Sequence, residues 1–261
     1  MKIRANGIEL HYELTGPEDA PVVTLSNSLM SNLSMWDSQM SALSTYRVLR
    51  YDTRGHGGSE AVAGPYSFEM LADDVCGLLD ALHIETTHFV GLSMGGMTGQ
   101  GLAIHHPDRL NSLALCDTRG HSPELRKGQR DARIRVIEEH GVEALVESAL
   151  ERWFSDGFRA GNLAIMDGVR AMIRGTSPEG VIGSSHALNA HNYTPRLHEI
   201  SLPTVIIVGE DDQGTPVSES EAMHERIVGS TLHVLPVARH LSNIECPDAF
   251  NTILVDFLES V

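Results

Sequence analysis

Residues 91–95 read Gly-Leu-Ser-Met-Gly, a serine with a glycine two positions to either side. The apolar residues Phe89 and Val90 before it indicate a buried strand, and residues 98–106 after it have the composition of a helix. A serine on a tight strand-to-helix turn is pushed out of the backbone, with its hydroxyl exposed and the following N–H free. Such a turn requires glycine two residues to either side, because larger side chains would collide with the strand and the helix. The pattern therefore predicts Ser93 as a nucleophile.

A serine nucleophile requires an acid as well as a base, because its hydroxyl reacts weakly at neutral pH. In folds with this turn, the acid and then the base follow the serine in the chain, each on a loop after a late strand. Residues 203–208 predict a buried strand, and the loop after it carries Glu210, Asp211 and Asp212. The residues alone leave these three carboxylates in competition.

The base has to be selected by position, since the chain contains 14 histidines. Residues 231–235 predict the last strand, and a closing helix is predicted at residues 247–258. His240 lies on the loop between them, where the base must be. We therefore predict that His240 takes the proton of Ser93.

Strand and helix signals alternate along most of the chain. The short apolar runs suited to a sheet covered on both faces lie at residues 22–25, 48–51, 89–90, 113–116 and 205–208. Residues 8–14 alternate between apolar and polar, as in a half-exposed strand. This order predicts an α/β fold with a largely parallel sheet after an antiparallel start. Between residues 119 and 196 helical spacing replaces the strand signal, which predicts a helical cap over the carboxyl ends of the strands. The predicted core comprises residues 1–118 and 197–261.

Composition limits the classes of partner. A chain of 261 residues that is 41% hydrophobic can bury the core of a single module. Its net charge of −16 argues against nucleic acid or anionic lipid as a partner, so we expect a small-molecule substrate. No apolar run of eighteen residues and no basic-apolar leader is visible, which predicts neither a membrane span nor a secretory signal. The oligomeric state does not follow from the sequence.

Cysteine usage favours the cytoplasm. The three cysteines Cys76, Cys116 and Cys246 are odd in number and lack C-x-x-C spacing. Packed thiols in a reducing compartment are the simplest interpretation, and metal ligation is not expected. The proposed chemistry needs no cofactor.

One part of the predicted cap is basic. Five of the 19 Lys and Arg residues of the chain lie within ten positions, namely Arg126, Lys127, Arg130, Arg133 and Arg135. One interpretation is a solvated helix face. The other is that one of these arginines, or Arg152, binds a substrate carboxylate, for which a guanidinium is a planar two-pronged donor. Trp153 and Phe154 also have two interpretations, as core residues or as a wall of the substrate pocket.

Six stretches of the chain resemble the motifs of one enzyme family. They are LSNSL at residues 25–29, SMW at 34–36, DTRGHGGSE at 52–60, GLSMGG at 91–96, RWF at 152–154 and HLSNIE at 240–245. Together they resemble the α/β-hydrolase superfamily, and within it the 3-oxoadipate enol-lactonases of aromatic-acid catabolism. The resemblance implies a cofactor-free serine hydrolase that opens a small lactone or ester, with 3-oxoadipate as the product of the enol-lactone.

The resemblance also implies roles for individual residues. The loop at residues 209–216 resembles the G-x-x-D-x-x-T-P turn of many α/β-hydrolases, which selects Asp212 as the acid. An oxyanion hole needs two convergent N–H donors, and Met94, directly after the nucleophile, supplies the first. Counting back from residues 35–36 in the register of the family places Leu29 at the second donor position. Arg133, Arg152 and Trp153 are the predicted substrate-binding residues of the cap.

Two positions depart from the family pattern. Met30 stands where the family usually has glycine, and Val181 replaces a tyrosine within residues 178–186. Both positions are expected near the substrate, so they affect the choice of substrate rather than the chemistry. The alternatives are an esterase, perhydrolase, lactonase or acyltransferase with another small acyl substrate, and a ligand-binding protein with little turnover.

Overall fold

Eight strands form one continuous sheet. The computed structural model describes the backbone of residues 1–261 and every side chain except that of Arg126. The strands are β1 (Lys2–Ala5), β2 (Ile8–Thr15), β3 (Val22–Ser26), β4 (Arg47–Tyr51), β5 (Thr87–Leu92), β6 (Leu110–Cys116), β7 (Thr204–Gly209) and β8 (Thr231–Leu235). Their order across the sheet is β1-β2-β4-β3-β5-β6-β7-β8. The first two pairings are antiparallel and all later ones are parallel, which confirms the predicted sheet with its antiparallel start.

Ten α-helices surround this sheet in the part of the chain that the structure describes. They are α1 (Phe68–Ala81), α2 (Met94–His105), α3 (Lys127–His140), α4 (Val146–Trp153), α5 (Asp156–Gly161), α6 (Leu163–Arg174), α7 (Pro178–Ala190), α8 (Val217–His224), α9 (Ser242–Glu245) and α10 (Pro247–Glu259). The start of α1 follows from Ser67, whose hydroxyl accepts a hydrogen bond from the Met70 N–H and so caps the helix. None of the described helices is both long and apolar enough to span a membrane.

Both faces of the sheet are covered by apolar clusters. Phe89 and Val90 are adjacent on β5 and pack into different clusters, and Ile206 and Ile207 do the same on β7. Successive side chains of a strand point to opposite faces, so these pairs show apolar cover on both sides. This cover explains why the central strands are continuous apolar runs rather than alternating ones.

The predicted start of α2 was wrong. The helix begins at Met94, directly after Ser93, whereas the composition indicated residue 98. Four glycines, at positions 95, 96, 99 and 101, weaken the helix signal in this stretch, because glycine disfavours helices by about 1 kcal/mol relative to alanine. Close packing explains at least one of them, since a Cβ on Gly96 would lie 2.7 Å from the Thr118 side chain.

The segment of the chain between β6 and β7 is an insertion that contains helices α3–α7 and no strand. The two ends of this insertion meet, since the Ser122 N–H donates to the His191 carbonyl at 3.0 Å and the Tyr193 N–H donates to the Gly120 carbonyl at 2.8 Å. Apolar residues of the insertion, among them Ile137, pack in the same cluster as the site-facing side of the sheet. The division into a core at residues 1–118 and 197–261 and a cap at residues 119–196 stays a prediction.

The carboxyl ends of the parallel strands are the part of the fold that builds the site. Loops or helices that start there carry Leu29 after β3, Ser93 after β5, Arg119 after β6, Asp212 after β7 and His240 after β8. Parallel strands end at the same edge of a sheet, so residues far apart in the chain are brought together.

Candidate active site

Ser93 occupies a strained turn between β5 and α2. Its backbone has φ 55° and ψ −109°, a region that non-glycine residues rarely adopt. The flanking glycines are required by contact, since a Cβ on Gly91 would lie 2.2 Å from the Gly95 carbonyl oxygen, and one on Gly95 would lie 2.2 Å from the Ser26 carbonyl oxygen. Strain of this kind persists only where the surroundings hold it, and it exposes the hydroxyl of Ser93.

The structure brings the three predicted triad residues together. His240 Nε2 lies 3.0 Å from Ser93 Oγ, and His240 Nδ1 lies 2.8 Å from Asp212 Oδ2. With Asp212 ionised, Nδ1–H donates to the carboxylate, so Nε2 is free to accept the hydroxyl proton of Ser93. This is the geometry of a nucleophile, a base and an acid that orients the base.

Asp212 is distinguished from its two neighbours by its contacts. Its carboxylate accepts hydrogen bonds from the Gly214 N–H at 2.6 Å, the Thr215 N–H at 3.0 Å and the Thr215 hydroxyl at 2.5 Å. Glu210 and Asp211 are exposed, and neither makes a described side-chain contact to His240. The turn that begins at Gly209 therefore directs only the third carboxylate toward the base.

The charges in the site support each other. Burial raises the pKa of Asp212, but the charge of His240 and the hydrogen bonds from His240 and Thr215 lower it below its ordinary value. Burial lowers the pKa of His240, but the charge of Asp212, their hydrogen bond and the charge of Asp117 raise it above its ordinary value. The pair is thus an ionised carboxylate beside an imidazole that readily accepts a proton.

Leu29 and Met94 are the two residues predicted to donate backbone N–H groups to an oxyanion. Both residues line the same cavity as Ser93, and neither N–H has a hydrogen-bond partner among the described residues. The loop of Leu29 is shaped by the Ser28 N–H, which donates to Met35 Sδ at 3.3 Å, and by Met30, which has φ 60°. This positive φ explains why the family favours glycine at position 30.

A cavity of about 510 Å³ opens above the triad. Besides the residues already named, its wall includes Met97, Val136, Leu145, Trp153 and Leu188, so a large part of it is apolar. The lining arginines are Arg119, Arg130, Arg133 and Arg152. No Asp or Glu side chain is among the described residues that line it. The chain has a net charge of −16, but the side chains that line this cavity carry a net positive charge.

The predicted basic cluster divides between the cavity and the solvent. Arg130 and Arg133 face the cavity, and Arg130 donates to the Asn189 side chain at 2.5 Å. Lys127 forms an exposed ion pair with Asp131, and Arg135 is exposed, as a solvated helix face requires. The prediction for Arg126 lies outside the described side chains.

Arg133 lines the cavity without an ion pair to a carboxylate among the described residues. Burial and the charges of Arg152 and Arg130 lower its pKa to about 10. It therefore remains a cation at neutral pH, at a position where like charges oppose it. An anionic ligand in the cavity would relieve this repulsion.

Trp153 and Phe154 have different roles. Trp153 lines the cavity although it is largely buried, whereas Phe154 is fully buried and stacks on Phe158 with ring centroids 5.5 Å apart. The segment at residues 178–186 was expected near the substrate and is not there. Helix α7 instead packs Gly180 against Gly55, and it reaches the cavity only with Leu188.

Several motif residues brace the site without entering it. Arg54 is buried and makes two hydrogen bonds to Asp74, at 2.8 and 2.5 Å. Trp36 Nε1 donates to the Asn27 side chain at 3.0 Å, which fixes the loop before Leu29. Glu245 accepts hydrogen bonds from the Arg239 N–H and the Ser155 N–H, both at 2.8 Å, and so joins the loop of His240 to α4 and α5.

Two residues near the site were not predicted from the sequence. Asp117 and Arg119 both follow β6 within three residues, and both are buried. Their position directly after a central parallel strand was the available signal, since the carboxyl ends of such strands meet at the site. No cluster of three or more His, Cys, Asp or Glu side chains suited to a metal ion occurs in the part of the chain that the structure describes.

Known proteins share the fold of this chain. The model of the alpha/beta hydrolase fold family matches residues 21–247. The chain belongs to the α/β-hydrolase family. This hydrolase is 40% identical to 3-oxoadipate enol-lactonase 2 of Acinetobacter baylyi over 250 residues, which cover 95% of this chain and 92% of that protein.

Solved structures show the same likeness. The crystal structure of the enol-lactonase from Burkholderia xenovorans LB400 matches this hydrolase with a TM-score of 0.95 and 39% identity, covering 99% of this chain and 100% of that one. A malate-bound thermophilic esterase from Thermogutta terrifontis matches with a TM-score of 0.93 and 29% identity, covering 100% and 98%. The α/β-hydrolase fold and the resemblance to enol-lactonases that the sequence predicted are thereby confirmed.

Proposed function

We propose that this hydrolase opens the enol-lactone of 3-oxoadipate to 3-oxoadipate, with Ser93, His240 and Asp212 as its catalytic triad. The observation that carries the proposal is the combination of this triad with an acid-free cavity that contains an unneutralised arginine. The substrate is a small lactone with one free carboxylate, so it needs both features. The name of the Acinetobacter baylyi relative, 3-oxoadipate enol-lactonase 2, supports the same substrate, and the name of the Burkholderia xenovorans relative supports an enol-lactone.

The first half of the reaction forms an acyl-enzyme. Ser93 Oγ attacks the lactone carbonyl while His240 Nε2 takes the hydroxyl proton, and Asp212 stabilises the imidazolium that results. The N–H groups of Leu29 and Met94 hold the negative charge that develops on the carbonyl oxygen. The ring C–O bond then breaks, the enolate oxygen receives the proton from His240, and the enol becomes a ketone.

The second half restores the enzyme. Water loses a proton to His240 and attacks the acyl carbon, and the collapse of the intermediate returns the proton to Ser93. The product carries the original carboxylate and the new one, with a ketone between them. No cofactor enters any step, and the triad, both N–H donors and the cavity wall all come from one chain.

Arg133 is the residue that we propose for the substrate carboxylate. A guanidinium can donate two parallel hydrogen bonds to a carboxylate, and Arg133 has no protein carboxylate to compete for them. Arg152 lines the same cavity, and its charge acts on Arg133 and adds to the local positive charge. Trp153 supplies an apolar surface for the rest of the ring.

A carboxylesterase for another small acyl substrate is the second candidate, favoured by the likeness to the Thermogutta terrifontis esterase. Its triad chemistry would be the same, and only the use of the arginines would differ. The three free cysteines fit a reducing compartment, so we place either activity in the cytoplasm.

A turnover panel separates these candidates. The purified protein is assayed with 3-oxoadipate enol-lactone, saturated lactones of the same ring size and 4-nitrophenyl esters. The proposal expects the highest kcat/KM on the enol-lactone. A much higher kcat/KM on simple esters would identify an esterase, and no turnover on any of them would leave only a binding function.

A further inference from the structure

Asp117 is a second buried carboxyl group behind the triad. It follows β6 directly, has φ 43° and has no exposed surface. Its Oδ1 accepts a hydrogen bond from the Gly209 N–H at 2.9 Å, and its Oδ2 accepts one from the Ser242 hydroxyl at 2.5 Å. The mechanism described above does not use this group.

The two partners of Asp117 lie on different loops. Gly209 begins the turn that carries Asp212, and Ser242 lies two residues after His240. Backbone hydrogen bonds also join these loops, for example from the Asp211 N–H to the Ala238 carbonyl at 2.9 Å, but that contact precedes His240 in the chain. Asp117 therefore joins the start of the loop that carries Asp212 to the residues that follow His240.

The residues on either side of Asp117 hold the nucleophile. The Cys116 carbonyl accepts a hydrogen bond from the Ser93 N–H at 2.8 Å, and the Thr118 hydroxyl donates to the Ser93 carbonyl at 2.8 Å. Three consecutive residues at the end of β6 thus contact the segments of all three triad members.

We propose that Asp117 is a positioning residue, whose carboxyl group fixes the loop of Asp212 and the loop of His240 relative to each other and so keeps the base aligned on Ser93. Small displacements matter here, because a shift of about 1 Å in a reacting group can cost roughly 100-fold in rate. The proposal rests on the triad of the proposed function and not on the identity of its substrate.

The charge of Asp117 gives the proposal a second observable. Burial and the charge of Asp212 raise the pKa of Asp117 to about 8, while His240 and the hydrogen bonds from Ser242 and Gly209 lower it. The titratable groups that face it are Asp212 and His240, together with the thiols of Cys116 and Cys246, whose pKa values the charge of Asp117 raises. Arg119 acts on His240 from the cavity side. A carboxyl group that can ionise stabilises the imidazolium of His240, whereas an amide at the same place cannot.

Three variants and one control test the proposal. Asp117→Ala removes both tethers, Ser242→Ala removes one, and Asp117→Asn keeps both, because its amide can accept from Gly209 and donate to Ser242. Asp211→Asn, on the exposed part of the same loop, is the control. Circular dichroism establishes folding. Ser93 reactivity is followed by its rate of labelling with a fluorophosphonate, and kcat and KM are measured on 4-nitrophenyl acetate across pH.

We expect Asp117→Ala to lower kcat and the labelling rate by roughly 10- to 100-fold with little change in KM. Asp117→Asn should restore most of the rate and yet lack the rise in kcat near pH 8 that the ionisation of Asp117 produces in the wild type, which a purely structural role would not do. Ser242→Ala should show a smaller loss of kcat. If Asp117→Ala does not fold, Ser242→Ala tests the positioning role of Asp117 in its place.

The proposal is overturned if a folded Asp117→Ala, or Ser242→Ala in its place, reacts as fast as Asp211→Asn with the wild-type pH profile. Failure of the proposed function looks different, because the fluorophosphonate would then not label Ser93 in the wild-type protein.

Discussion

The strand-end edge of the sheet and the helical insertion above it form opposite walls of one cavity and are built by different means. At the strand ends, side chains and backbone groups are joined by specific hydrogen bonds, such as those from His240 to Asp212 and from the Ser93 N–H to Cys116. In the insertion, Arg133 lines the cavity with no carboxylate against it among the described residues. The edge holds the groups that carry out the reaction. The insertion holds a cation that a ligand with a carboxylate would neutralise.

This difference implies a division of labour that mutation can test. A change at the edge should affect every substrate, since every substrate uses the same nucleophile and base. Loss of the Arg133 cation from the insertion should affect only those substrates that bring a negative charge. Each of the following experiments therefore compares an anionic lactone with a neutral ester.

Ser93→Ala is expected to have the largest effect. Removing a catalytic serine costs about 10⁶-fold in kcat in a well-studied serine hydrolase, and the loss here should be of that order for both substrates. Fluorophosphonate labelling followed by mass spectrometry should place the adduct on Ser93 alone. An adduct on another residue, or near-normal turnover by the variant, would end the serine-hydrolase mechanism.

Asp212→Asn is expected to lower kcat by roughly 10⁴-fold, because an amide favours the wrong tautomer of the base. Asp211→Asn is the matched control, one residue away on the same loop but exposed and without a side-chain contact to His240. It should retain wild-type kcat on both substrates. The reverse result would mean that the adjacent carboxylate orients the base.

The strand-end edge could be predicted because its backbone geometry admits few residues. A Cβ on Gly91 or Gly95 would lie 2.2 Å from a carbonyl oxygen, so the turn at Ser93 requires both glycines and can be recognised in the sequence. Asp212 could be separated from Asp211 only by resemblance to a known turn, since composition gives three adjacent carboxylates the same weight. Asp117 was missed because one acidic residue after a strand leaves no pattern of its own.

The insertion was less predictable because a helix can turn any of its faces toward the site. The cluster from Arg126 to Arg135 was visible as composition, but only packing shows that Arg133 faces the cavity and Arg135 the solvent. Arg119 lies outside the cluster and still lines the cavity. The expected place of Val181 was wrong for the same reason, as α7 buries this residue in the apolar core.

Arg133→Ala should lower kcat/KM for the anionic lactone by roughly 10- to 150-fold, equivalent to about 1.5–3 kcal/mol for a hydrogen bond to a charged group. The neutral ester should be hydrolysed nearly as before, because it does not use the cation. Arg135→Ala, two residues along the same helix and exposed, is the control and should leave both rates unchanged. An equal loss on both substrates would indicate damage to the cavity rather than loss of a carboxylate contact.

The smallest expected effect is the pH dependence, and it separates the two walls without any mutation. His240 must be neutral to accept the proton of Ser93. Its pKa lies above the ordinary value of 6.5, because the charge of Asp212, their hydrogen bond and the charge of Asp117 together outweigh the effect of burial. As pH falls through this pKa, kcat/KM should fall by about tenfold per pH unit for both substrates, with a midpoint above 6.5. Arg133 has a pKa of about 10 and stays charged throughout this range, so the ratio of the two kcat/KM values should not change between about pH 6 and pH 9. A midpoint below 6.5 would show that burial dominates at His240. A ratio that falls toward pH 9 would show that the cation in the cavity titrates well below the pKa of Arg133, and the carboxylate contact would then have to be assigned to another residue.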